Sequence, residues 1–474
     1  MSAGVRTGFG FALDNLLDEP GAGVSAWMRT TAGVVALLLA VQFTTGLLLA
    51  FFYVPSAESA HATVAYVEKV LDSGPWVRAL HLYASQLLPL ALLSHLAQSF
   101  WRGAHRRKPF GWAASVLLLG LVMAGGGTGY SLPWDARAFY STRVAENLAA
   151  GLPLVGGRAR AWLLGGGEIS TLTVSRLYAL HALVIPALIL LITFARLFVA
   201  REPGPGGAVT ERPRGGDWVR AQLARNAVVA GAVFLALALW ASKFPAPLGP
   251  PAEAAPAGYV PRPGAQFLWL FQLLKYFSKT TASLVALVAP ALILAALALL
   301  PFLGRRETAT SNRRLSRALG LAGFASAFAL VAAMTLVALN EDSLDPRVSG
   351  RLAEQARQEE EFRRSPFVPL KRGGVARDSG AGTAAPSSTD SVDAPPPEAY
   401  TRNCARCHGP RGEGMGVNPP LVGVSKQPQR TVEDIVRILH DPASYNLERR
   451  MPSFARKLTE DEKRAVAEWV VSLE

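Results

Sequence analysis

The stretch VRALHLYASQLLPLALLSHLAQSFW, residues 77–101, decides how the chain is read. It is long and apolar enough to cross a bilayer, which takes about 20 residues, yet it carries His81 and His95. At about 100° and 1.5 Å per residue, two positions fourteen apart fall on nearly one face of a helix, roughly 21 Å from each other. A single histidine inside a span has a plain use, a hydrogen bond to a neighbouring helix. Two on one face at this spacing suit two haems stacked across one bilayer, and ionisable groups in a span are usually functional. His181, on a later apolar stretch, is expected level with His81 near the outer end and can complete a bis-histidine haem.

Six further stretches read as spans by length and apolarity, at about 28–53, 111–131, 174–199, 222–243, 280–302 and 316–339. The first is too long for a signal-peptide core and has no evident cleavage site, so it reads as a retained anchor. The 474 residues are 50% hydrophobic with a formal net charge of +13. That charge could suggest nucleic acid, but the basic residues gather in short loops between apolar segments. Arg102, Arg106, Arg107 and Lys108 lie in one, Arg201, Arg212, Arg214 and Arg220 in a second, and Arg305, Arg306, Arg313 and Arg314 in a third. These loops share a side with the N-terminus, and the positive-inside rule makes that side cytoplasmic. Seven crossings then place the C-terminus outside. Trp76, Trp101 and Trp112, at span ends, read as aromatic-belt residues.

The polar remainder ends in a second decisive motif, Cys404-Ala405-Arg406-Cys407-His408. The chain has only two cysteines, and both are here. Two thiols at this spacing form thioethers to the two porphyrin vinyl groups, and the adjacent histidine reaches the iron. Zinc would need more cysteine or histidine nearby, and a thioredoxin-like dithiol a βαβ context. Haem c is attached on the outer side of bacterial membranes, in agreement with the charge argument. Met451, before a proline in a loop between two helical patterns, is the preferred second iron ligand, and Met415 is the other candidate. A methionine ligand raises the haem potential. Thr459, followed by Glu460, Asp461 and Glu462, predicts the start of the last helix. Residues 341–395, first charged and then rich in Ala, Ser, Pro and Gly, read as a mobile linker.

Residues 25–340 resemble cytochrome b of the quinol:cytochrome c oxidoreductase (bc) complexes. The resemblance rests on Val77-Arg78-Ala79-Leu80-His81, on Thr128-Gly129-Tyr130-Ser131-Leu132-Pro133-Trp134-Asp135, on Ser170-Thr171-Leu172-Thr173 leading to Leu180-His181, and on Phe271-Gln272-Leu273-Leu274-Lys275. The C-terminal part resembles class I cytochromes c. The expected architecture is therefore all-α, a polytopic membrane bundle of about seven helices with a flexible linker and a small all-α cytochrome c domain. The boundaries are a haem-binding four-helix part at 1–210, a three-helix part at 211–340, the linker at 341–395 and the c domain at 396–474.

The resemblance implies that His81 and His181 ligate the outer haem b, that His95 is one ligand of an inner haem b, and that Arg78 pairs with haem propionates. Gly33, Gly46 and Gly129 match places where haem approaches the backbone; their plain alternative is helix packing by small residues. It also implies quinol oxidation near Trp134, Asp135, Pro263 and Gln266, a separate Rieske iron–sulfur protein, a homodimer, and a downstream cytochrome or terminal oxidase. Two departures bear on this. The partner of His95 should lie fourteen or fifteen residues beyond His181, where the chain has Ala195 and Arg196, neither an iron ligand. His105 is a weak substitute. Arg196 can snorkel to the interface, pair with a propionate or quinone oxygen, or mark loss of the inner haem. The family's Pro-Glu-Trp-Tyr motif aligns with Pro263-Gly264-Ala265-Gln266, so the glutamate that takes a proton from quinol is absent; water or a carboxylate such as Glu253 is a conceivable replacement. The first functional reading is an electron-transfer subunit passing electrons from quinol to its own haem c. The alternatives are an anchor or wire with one b haem and no standard Q-cycle, and a tethered c-type carrier.

Overall fold

The computed structural model describes residues 24–199, 216–252, 259–303, 310–369, 396–413, 420–424, 430–445, 451–455 and 457–473. Met415, Glu253, Arg201, Arg212, Arg214, Arg305, Arg306 and the 370–395 part of the expected linker lie outside them. The chain forms two compact units, Met1–Gly374 and Val375–Glu474.

The principal helices of the first unit are α1 (Thr31–Ala50), α2 (Gly74–Trp101), α3 (Pro109–Tyr130), α4 (Ala136–Ala150), α5 (Thr171–Leu197), α6 (Gly216–Lys243), α7 (Ala265–Leu274), α8 (Thr280–Phe302), α9 (Thr310–Leu344) and α10 (Pro346–Arg364). Among the described residues, six helices are long and apolar enough to cross a membrane, including α1, α3, α5 and α8. The expected seventh, α2, has 28 residues, about 42 Å of helix, but is too polar to meet that measure. The reason is its place at the centre, packed by α1, α3 and α6. Leu80, Leu88, Leu92 and Leu96 are buried there, so α2 needs no lipid-facing side and can carry Arg78, His81, Gln86 and His95. The outer helices show the inverse pattern. Leu235 and Leu239 on α6, Leu292 and Ile293 on α8, and Phe328 and Leu336 on α9 are exposed. Apolar side chains turned outward along spans of this length mark a multi-pass membrane protein.

Two expectations change. The charged stretch after residue 340 is not a linker through residue 364. Helix α9 runs on to Leu344, and α10 follows, capped by Asp345, whose carboxylate accepts from the Arg347 and Val348 amides. Glu354–Arg357 and Glu360–Arg364 ion pairs line its exposed face. Its other face packs on the rest of this unit: Gln355 donates to the Val260 carbonyl at 3.3 Å, Arg137 pairs with Glu359, and Lys69 donates to the Ser365 hydroxyl at 2.9 Å. Trp112, expected in an aromatic belt, is buried and donates to the Leu297 carbonyl at 2.6 Å. Trp101 is exposed.

The second unit is a small helical domain. Helices Glu398–Asn403, Ala405–His408, Val432–His440 and Glu460–Val471 enclose Tyr400, Cys404, Leu439, Phe454, Ala467 and Trp469. Thr459 caps the last helix, its hydroxyl accepting from the Glu462 amide, as the sequence predicts.

Candidate functional site

At one end of α2, His81 faces His181 of α5, with ring centroids 6.1 Å apart. The hydrogen bonds around each ring fix its tautomer. The Thr45 hydroxyl donates to the Val41 carbonyl at 2.6 Å, so at 2.8 Å from His81 Nδ1 it accepts the ring proton. His181 Nδ1 donates to the Gly125 carbonyl at 3.0 Å. Both rings therefore keep their Nε2 lone pairs for a metal. Two metal–imidazole bonds of about 2 Å put ring centroids roughly 6 Å apart. Gly46 and Gly129 admit these two rings against the backbone. A Cβ on Gly46 would lie 3.1 Å from His81 Cε1, and one on Gly129 only 2.5 Å from His181 Cε1. His181 sits in a π-helical turn, Leu180–Val184, a distortion common at functional sites. These residues fit a bis-histidine haem.

At the other end of α2 the same device ends differently. The Thr31 hydroxyl donates to Gln98 Oε1 at 2.9 Å and accepts from His95 Nδ1 at 3.1 Å. The Nε2 lone pair of His95 then faces Arg196, whose guanidinium donates to it at 3.2 Å. Arg196 also sits in a π-helical turn, Ala195–Val199. A guanidinium has donors and no lone pair, so it cannot ligate iron. Gly33, expected to admit haem, admits Asn226 of α6 instead; a Cβ there would meet Asn226 Oδ1 at 2.8 Å. His105 does not substitute. It is buried and stacked on Phe100, centroids 4.6 Å apart, against Trp112. The residues at this end do not fit a bis-histidine haem.

The expected quinol-site residues divide. Trp134 is buried in a small core with Ala60 and Val174, its backbone at φ 52°. Asp135 caps α4: Oδ1 accepts from the Ala138 amide at 2.9 Å and Oδ2 from the Gly249 amide at 3.1 Å. Trp134 thus belongs to a small core and Asp135 to a helix cap, and Asp135 also lines the cleft described below. Arg78, expected at propionates, pairs with Glu68 at 2.6 Å and donates to the Pro247 carbonyl at 3.1 Å. Gln272 is fully buried and donates to Glu341 at 2.8 Å. Gln266 and Phe267, by contrast, lie against the Gly126 and Gly127 backbone of α3, the same helix whose Gly125 and Gly129 receive His181. Gln266 Oε1 is buried and accepts no hydrogen bond among the described residues. Pro263 and Gly264 precede it; a Cβ at Gly264 would lie 3.1 Å from the Tyr130 ring.

A narrow cleft with a cavity volume of ≈ 10 Å³, room for about one water, opens beside this loop, lined by Asp135, Arg137, Tyr259, Gln355 and Glu359 among others. Burial raises the Glu359 carboxyl above its ordinary range against the pull of Arg137, and burial pushes the Tyr259 phenol up to about 12. The sequence reading missed Glu359 because its charged surroundings looked like linker.

In the second unit the motif turns tightly. The Cys407 and His408 amides donate to the Cys404 carbonyl at 3.0 and 2.9 Å. Neither cysteine forms a disulfide. Burial, and then Cys407 nearby, push the Cys404 thiol up to about 11. Met451 packs against the same core. Two free thiols and a histidine on one turn fit covalent haem.

The family model for cytochrome b/b6/petB matches residues 20–204, and that for cbb3-type cytochrome c oxidase subunit III matches residues 393–470. The menaquinol:cytochrome c reductase cytochrome b subunit of Geobacillus thermodenitrificans is 30% identical over 185 residues, 39% of this chain and 83% of that protein. Cytochrome b6 of a Picosynechococcus species is 28% identical over 176 residues, 37% of this chain and 79% of that protein. A chain of a hyperthermophilic respiratory complex III shares the fold at TM-score 0.55 and 17% identity, over 74% of this chain and 92% of that one. The chain belongs to the cytochrome b/b6 family and carries a C-terminal cytochrome c domain.

Proposed function

We propose that the chain is the electron-transfer subunit of a bc-type quinol:cytochrome c oxidoreductase whose electron path stays on the outer half of the membrane. It would hold one haem b, on His81 and His181, and one haem c, on Cys404, Cys407, His408 and Met451. When bound, these haems supply one-electron transfer. The observation that carries the reading is the glycine stretch of α3. One side receives His181 at Gly125 and Gly129, and Gln266 and Phe267 lie on the Gly126–Gly127 backbone. A quinol headgroup there would be one helix backbone from the outer haem site, with the unsatisfied Gln266 oxygen accepting a hydroxyl proton in a hydrogen bond.

Oxidation of one quinol releases two protons and two electrons. In this reading both protons leave on the outer side, and the electrons pass singly via haem b and a separate Rieske protein to the fused haem c. The His95–Arg196 contact favours this one-haem path over relay across the membrane through two b haems. The setting would be a bacterial inner membrane, with the N-terminus cytoplasmic, the c domain periplasmic, a second copy of the chain as partner, and a cytochrome or terminal oxidase downstream. The test is reduction of haem c by menadiol in the purified full chain, with and without a Rieske protein. Rieske-dependent reduction supports the reading; none under either condition leaves a tethered c-type carrier.

A further inference from the structure

We infer that Glu359, on the helix that follows the last span, is the carboxylate that takes the proton from quinol in this chain. The inference rests on the quinol-oxidising reading above. Four features of the cleft carry it. First, α10 folds back over the loop that holds Pro263 and Gly264: Gln355 donates to the Val260 carbonyl at 3.3 Å. Second, Tyr130 packs on that loop. Its ring lies where a Gly264 side chain would begin, and its hydroxyl donates to the Arg262 carbonyl at 3.2 Å. Third, the other carboxylates nearby are spent. Asp135 has one oxygen on the Ala138 amide and one on the Gly249 amide. Asp342 is held through both oxygens by Arg262, and Glu341 is on Gln272 and Lys275. Glu359 differs: among the described residues only its Oε1 is engaged, by Arg137. Fourth, the cleft wall presents a buried acceptor without a partner among the described residues, Gln355 Oε1.

The step is a proton transfer alone. A quinol O–H bond breaks, a Glu359 Oε2–H bond forms, and quinolate plus a neutral carboxylic acid result. Glu359 side chain is 22% exposed, so the proton then passes to outer water. Burial poises the group towards neutral pH, where a base is most effective. The groups facing it are Arg137 and Asp135 from α4 and its cap, Tyr130 from α3 and Tyr259 from the loop. Arg137 is a positioning residue: its charge holds the carboxylate ionised.

The experiment compares wild type, Glu359→Gln, Glu359→Asp and Arg137→Gln as full chains with bound haem, each with the Rieske protein added, reading menadiol-driven haem c reduction against pH. A general base contributes 10²–10⁴-fold. Glu359→Gln is expected to lower the rate about a hundredfold at pH 7 and flatten the rising limb of its pH profile. Glu359→Asp should recover part of the rate. Arg137→Gln removes the charge that favours ionisation, so the carboxyl needs higher pH to lose its proton and the rising limb moves alkaline. A wild-type rate and profile in Glu359→Gln overturns the assignment and leaves the quinol reading standing. If Glu359→Gln loses haem b, an unshifted limb in haem-replete Arg137→Gln overturns it. If wild type itself does not oxidise menadiol, the functional reading fails, and this inference with it.

Discussion

The two ends of α2 are built alike and finish differently. At each end a histidine gives its Nδ1 proton to a threonine of α1, Thr45 for His81 and Thr31 for His95. The threonines are fourteen residues apart, as are the histidines. Each histidine then faces a residue in a π-helical turn of α5. At the His81 end that residue is an imidazole with a lone pair; at the His95 end it is a guanidinium with none. The orienting shell and the ligand are thus separable. The shell aims a ring, and one side chain decides whether the aim meets a metal or a hydrogen-bond donor. Around His95 the remaining space is closed as well, since Asn226 fills the gap at Gly33.

The comparison can be broken from either end. Gly129→Val should have the largest effect. A Cβ there already meets His181 at 2.5 Å, so haem b should be lost entirely while haem c stays, read by pyridine haemochrome spectra. Retention of haem b would mean the cradle is not where the haem sits. The reverse change, Arg196→His with Asn226→Ala, supplies a lone pair and reopens the gap. It should add one haem b per chain; no gain would show that more than these two side chains closes the inner end. Thr45→Val tests the orienting shell, which the account makes secondary. It should weaken outer haem b retention by about 10- to 100-fold without abolishing it, measured by haem transfer to an apo-protein acceptor.

Much of this arrangement is legible in the sequence, and the part that is not has physical causes. The fourteen-residue histidine spacing and the C-x-x-C-H motif are local patterns tied to fixed chemistry, and the structure brings the His81 and His181 rings to 6.1 Å from each other. Asp345-Pro346 with acidic and basic residues three and four apart is also a helix signal. Net composition hid it: charge without apolar periodicity resembles linker, because α10 docks through polar contacts rather than an apolar face. Asp135 and Trp134 stand in a specific motif, but a motif does not distinguish a residue that touches substrate from one that shapes the loop. Asp135 proves to be a helix cap. The pairing of Arg196 with His95, and of Asn226 with Gly33, joins residues about a hundred or more positions apart. No local pattern carries such contacts. The threonines were findable, since their spacing repeats that of the histidines.

The central claim is that one end of α2 binds haem and the other does not. The most direct test is the ratio of haem b to haem c in the purified full-length protein, by pyridine haemochrome spectra. The account predicts one b per c. Two b per c would contradict it, showing that His95 keeps a haem despite Arg196 and that the path across the membrane is intact.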